Sequence, residues 1–167
     1  MNTSFTPRTT KFKRRVAAVL AIAVAAFLPA ISPAQAADPG VSPGPGGYWM
    51  VASDGGIFSF GNARFYGSTG NIKLNQPIVG IAATPTGNGY WMVATDGGIF
   101  SFGDAKFYGA AVGSSFPVVG MAAARDGLGY SIVRADGTVV NRGRAPLAGS
   151  LVGHTPSRPV VGIAATV

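Results

Sequence analysis

Cysteine and glutamate are absent from this sequence, and His154 is its only histidine. Without cysteine there is no disulfide framework, no thiol nucleophile and no thiolate metal site. A single imidazole excludes a multi-histidine metal centre. Six aspartates make up the whole acidic complement. Long hydrophobic runs are also scarce: the longest is Val16–Leu28, well short of the roughly 20 apolar residues that span a bilayer. Positive charge is in excess, with 13 Lys and Arg and a formal charge of +7. Five of those cations (Arg8, Lys11, Lys13, Arg14 and Arg15) precede the apolar run, and beyond them eight basic residues face six aspartates. So small and dispersed a surplus gives no electrostatic footprint for nucleic acid, which needs clustered cations to displace counterions.

What is present begins with an export signal. A basic segment, Lys11-Phe12-Lys13-Arg14-Arg15, leads into the apolar Val16–Leu28, which Pro29 and Pro33 close. Ala34-Gln35-Ala36 then matches the small-residue cleavage signal, so residues 1–36 are expected to be a signal peptide cut between Ala36 and Ala37. No stable membrane span is expected after processing. Residues 37–46, ADPGVSPGPG, are rich in Pro and Gly and read as a flexible leader. The remainder, 47–167, is the expected folded domain.

That domain is repetitive. Residues 47–67, GYWMVASDGGIFSFGNARFYG, recur at 89–109 as GYWMVATDGGIFSFGDAKFYG, with 18 of 21 positions identical. A looser third copy, 129–149, reads GYSIVRADGTVVNRGRAPLAG and keeps 8 of 21. A second element punctuates the copies: PIVGIAAT at 77–84, PVVGMAAA at 117–124 and PVVGIAAT at 159–166. A period near 42 residues marks a stack of supersecondary units. All 25 glycines lie beyond residue 36, which favours many tight turns and an all-β fold. Each unit reads as a short apolar strand, a Pro/Gly turn, a second strand, an Asp-Gly hairpin turn and a third strand. Lys106-Phe107-Tyr108 is expected as a short fourth.

The size and strand order are those of a four-stranded propeller blade. More narrowly, the GYWMVASDGGIFSFGNARFYG and PIVGIAAT segments resemble the GYW–DGG–FSFGDA repeats of secreted actinobacterial proteins. That resemblance implies propeller-like repeats and no defined activity; it is close over 47–128 and loose over 129–166. The first unit lacks a PxVG element before it and the last PxVG element lacks a hairpin after it. This phase suggests that the C-terminal strand, 159–166, completes the first unit. Three blades are too few for a ring. A homodimer closing six blades, or a β-trefoil-like three-fold closure of one chain, are the two solutions left open.

Candidate sites follow from the repeats. Tyr48 and Trp49, with their counterparts Tyr90 and Trp91, are expected to stack on a sugar, since a flat ring covers the apolar face of a pyranose while its polar tip stays wet. Ser131 replaces the tryptophan in the third copy, so two such positions exist per chain. Asn62 and Asp104, each two residues before a cation (Arg64, Lys106), suit hydroxyl recognition. Asp54, Asp96 and Asp136 read as turn residues. Arg134, Arg142 and Arg144 form a local basic cluster with Asn141. No G-x-S-x-G elbow or phosphate loop occurs, and His154 lies in a Gly/Thr/Pro loop. No catalytic residues, metal or cofactor are expected. The expected function is a secreted, non-catalytic repeat protein, extracellular or associated with the cell wall, that binds a glycan or cell-wall polymer through repeated aromatics. The alternative is a structural, self-assembling or protein-interaction module with no small ligand; a hydrolase ranks behind both.

Overall fold

The computed structural model describes residues 46–166. The expected signal peptide, its cleavage point and all but the last residue of the leader lie outside the described residues. Within them the fold is all-β, with eight strands and no helix. No helix of the described residues is long and apolar enough to cross a membrane. The strands are β1 (Gly47–Val51), β2 (Ile57–Gly61), β3 (Ile78–Ala83), β4 (Gly89–Ala94), β5 (Ile99–Gly103), β6 (Val118–Ala123), β7 (Gly129–Arg134) and β8 (Val139–Gly143). They form three antiparallel sheets, β1-β2, β3-β4-β5 and β6-β7-β8.

The hairpins share one register. Tyr48 faces Phe60, Tyr90 faces Phe102 and Tyr130 faces Arg142. Both three-stranded sheets carry the same irregularity, at Ile78/Gly80 and at Val118/Gly120. Each hairpin turns on the expected Asp-Gly pair. The aspartate Oδ1 accepts the N–H two residues on, from Gly56, Gly98 or Thr138, at 2.8–2.9 Å. The following glycine sits at φ 81° (Gly55), 88° (Gly97) and 80° (Gly137), the left-handed region that glycine enters without a Cβ penalty. Gly97 is needed for space as well, because a Cβ there would lie 2.4 Å from the Ala111 carbonyl oxygen.

Each outgoing segment folds back over its own hairpin. Thr69 N–H donates to Gly55, Ala111 to Gly97 and Leu151 to Gly137. The chain is then pinned again where the next PxVG element starts: Ile78 N–H to Ser53, Val118 to Thr95 and Val160 to Ala135, at 2.8–2.9 Å. Residues 159–166 therefore dock on the third hairpin as β3 docks on the first and β6 on the second. Glycine lets these elements approach. A Cβ on Gly80 would lie 3.3 Å from the Gly120 Cα, and one on Gly120 would lie 3.6 Å from the Gly162 Cα.

Two departures from expectation stand out. The fourth strand at 106–108 is not in any ladder, so the full units have three strands. Its backbone groups bond to side chains instead: the Lys106 carbonyl accepts the Trp91 indole N–H and the Tyr108 N–H donates to the Tyr130 hydroxyl. Residues 159–166 are also in no ladder, and the β1-β2 sheet has only its two strands. The strand pairing that would complete the first unit is not made in this single chain.

The core lies between successive sheets. Ile57, Ile78, Tyr90, Met92 and Ala94 form one cluster, with Trp49, Val51 and Phe102 against it. Trp91, Val93, Val118, Met121, Tyr130 and Ile132 belong to the other. Alternation along β4 sends Tyr90 and Met92 to one cluster and Trp91 and Val93 to the other, so every residue of β4 is buried. An aromatic side chain buries about 150–250 Å², which at about 25 cal/mol/Å² is roughly 4–6 kcal/mol as an upper bound for each ring. That gain makes Tyr90 and Trp91 the centre of the fold.

Candidate functional site

The expected stacking residues divide by position. Trp91 and Tyr90 have no exposed surface. A ring without exposed surface meets no ligand, so both are core residues and not the expected sugar contacts. The Trp91 indole N–H, the polar tip expected to stay wet, donates to the Lys106 carbonyl at 2.7 Å. Trp49 is half-buried and repeats that bond to the Arg64 carbonyl at 2.8 Å. Its ring lies 5.3 Å from that of Tyr90 and 6.3 Å from that of Tyr66. Tyr48 alone of the four is exposed, at 57%, and it stacks on Phe60 at 5.0 Å.

The buried rings act as clamps on the loops after β2 and β5. The Tyr90 hydroxyl donates to the Gly67 carbonyl at 2.6 Å and accepts the Tyr66 N–H at 3.2 Å. Tyr130 does the same one unit later, with Gly109 at 2.9 Å and Tyr108 at 3.0 Å. Burial raises the pKa of both phenols, more than the backbone bonds lower it. In return, Tyr66 and Tyr108 reach forward to the turns of the next unit, at the Gly87 and Gly127 carbonyls. Each loop is thus fastened by its own tryptophan and by the next unit's tyrosine.

Held this way, the loop has an inner and an outer face. Ala105 and Tyr108 turn inward against the core, while Asp104, Lys106 and Phe107 face solvent. The first unit repeats the outward set as Asn62, Arg64 and Phe65. Phe65 is 43% exposed and Phe107 62%, and the matching Leu147 is 83% exposed. Neither Phe65 nor Phe107 is among the candidates that the sequence offers. No strand periodicity marks them, because the segment is not a strand: Lys106 and Phe107 both face solvent between the inward Ala105 and Tyr108.

The polar candidates are differently engaged. The Asp104 carboxylate accepts the hydroxyls of Thr84 at 2.9 Å and of Thr86, so it fastens the turn before β4. Asn62 is exposed and has no such threonines before it. The basic cluster is partly structural. Arg142 donates through Nε and Nη2 to the Ala110 carbonyl at 2.9 and 2.7 Å, and Arg134 donates to Ala111 at 2.9 Å. Arg142 fills the place that Phe60 and Phe102 hold in the other copies. Arg144 remains exposed.

A hollow of about 580 Å³ lies at the C-terminal side, lined by Phe116, Asp136, Thr138, Leu151 and His154, among others. The Asp136 carboxylate there accepts the backbone N–H and the hydroxyl of Thr138, which lower its pKa. His154 is exposed, with Nδ1 3.4 Å from the Val152 carbonyl. No hydrogen bond joins the two among the described residues, so they make no base–orienter pair.

No family model matches this chain, and no curated protein matches it.

Proposed function

We propose that this chain is an exported, non-catalytic repeat protein that binds an acidic glycan or cell-wall polymer through its repeated cation–aromatic steps, Arg64-Phe65 and Lys106-Phe107. The observation that carries this reading is their shared exposure on loops that the next unit's buried tyrosine fastens. A phenyl ring covers the C–H face of a sugar, and the neighbouring cation attracts a carboxylate or phosphate on the polymer. Fixed loops lower the entropy lost on binding. A repeating array also suits a repeating ligand, since each bound unit raises the effective concentration of the next. The three units are read as propeller-type blades of the secreted actinobacterial repeat family. Apolar clusters shared by successive sheets support that over a trefoil.

The test is co-sedimentation with peptidoglycan sacculi that carry their acidic secondary polymers. Phe65→Ser/Phe107→Ser and Arg64→Gln/Lys106→Gln are each expected to lower the bound fraction at least tenfold, with the circular dichroism unchanged. The wild-type complex is expected to weaken with added salt, because exposed charges are screened. Equal sedimentation of all three proteins would refute the assignment.

A further inference from the structure

The two open ends of the described fold complement each other. β4 is buried because β3 pairs along its edge and the first unit covers its Tyr90/Met92 face. β1 has the same Gly-Tyr-Trp-Met-Val sequence, yet no strand pairs along its other edge among the described residues. Its outer face is uncovered as well: Tyr48 is 57% exposed, Met50 48% and Phe58 41%, while Tyr90 and Met92 are at 0%. At the other end, residues 159–166 match 77–84 at seven of eight positions. They dock on the third hairpin through Val160 N–H to Ala135, at 2.9 Å, but lie in no ladder and leave Val161 86% exposed. Among the described residues, one end is a hairpin without its first strand, and the other is a first strand without its hairpin.

We infer that a second copy of this chain supplies what each end lacks: residues 159–166 of one copy add to β1 of the other, and the reverse pairing closes two copies into a six-unit ring. The occupant is specified by the internal junctions. β3 pairs with β4 through Ile81 opposite Met92 and Ala83 opposite Tyr90. By the repeat, Ile163 falls opposite the partner copy's Met50, and Ala165 opposite its Tyr48. The hydroxyl of Tyr48 then has the role of Tyr90 and Tyr130, which donate to Gly67 and Gly109; its acceptor is Gly149 of the other copy. Strand addition supplies backbone bonds to an open edge, and six units fall within the range that closes a propeller. Head-to-tail contacts of this kind form rings when the rotation closes.

The test uses the full chain, which has no native cysteine. Light scattering on the wild type is expected to give twice the mass of one chain. Met50→Cys and Ile163→Cys, made on separate chains and mixed under mild oxidation, are expected to form a covalent pair far in excess of either variant alone. Met50→Asp, placed on the exposed face, is expected to return the mass to one chain with the circular dichroism retained. A folded wild-type monomer with no cross-link overturns the proposal. So does a dimer in which the two introduced thiols do not join, or a chain carrying both substitutions that cross-links only within itself.

Discussion

Replacing Tyr90 by phenylalanine tests whether the aromatic repeats are clamps. The ring stays, so the packing against Trp49 and Phe102 is retained. Only the hydroxyl is lost, and with it the bonds to the Gly67 carbonyl and the Tyr66 N–H. An ordinary hydrogen bond contributes about 0.5–1.5 kcal/mol net, but a buried group left without a partner costs about 1–3 kcal/mol. Two partly buried backbone groups lose their partner at once, so the expected destabilisation is about 2–3 kcal/mol. For a domain of this size that lowers Tm by roughly 6–15 °C. Tyr108→Phe is the control: its hydroxyl has one bond, to Gly127, at the half-buried edge, and its expected cost is under about 1 kcal/mol. Both are read from urea unfolding at pH 7 with the slope held constant. The pH dependence supplies an independent check. Burial raises the folded-state pKa of Tyr90, so its neutral form is favoured in the fold. That stabilisation is complete below the unfolded phenol value of about 10 and is lost as pH rises through the folded value. The gap between wild type and Tyr90→Phe should therefore narrow above about pH 10. A cost below about 0.5 kcal/mol, or a gap that widens in alkali, would refute the clamp.

Other outcomes follow from the same geometry. Gly97→Ala places a Cβ at φ 88° and 2.4 Å from a backbone oxygen, and should cost well over the roughly 1–2 kcal/mol typical of a left-handed alanine. Gly87→Ala, at φ 69° with open space around it, should cost only about that amount in the same unfolding assay. Asp136 has its pKa lowered by its bonds to Thr138, so its contribution is present above about pH 4 and fades as pH falls through the depressed value. Asp136→Asn should flatten the acid limb of a stability–pH curve. N-terminal sequencing of protein recovered from culture medium should begin at Ala37; an intact Met1 would refute export by this signal.

The fold was legible where local chemistry and repetition agreed. Asp54-Gly55, Asp96-Gly97 and Asp136-Gly137 placed three hairpins, because few residues other than glycine accept the left-handed position at a turn. Apolar runs bounded by proline and glycine placed β3 and β6. The fourth strand was not legible. Whether Lys106-Phe107-Tyr108 joins a ladder depends on where its amides and carbonyls find partners, and those partners are Trp91, 15 residues away, and Tyr130, 22 away. Side chains took the bonds that a neighbouring strand would otherwise make.

The site was misread for a related reason. An amphipathic ring such as tryptophan suits a wet binding surface and a buried bond to a carbonyl equally well. Composition cannot separate these uses. The neighbours can: Trp91 and Tyr90 sit on a strand flanked on both faces by other units, so alternation leaves neither ring a wet side. At the edge of the array the same residues behave differently. Tyr48 has the sequence environment of Tyr90 but no unit before it among the described residues, and its ring is exposed. Identical residues are therefore core or surface according to their place in the stack. The exposure of Tyr48, Met50 and Phe58 therefore follows from the absence of a neighbouring unit on that face among the described residues. Among the large apolar side chains, Phe65, Phe107 and Leu147 are exposed in every copy, and the stacking does not explain their exposure.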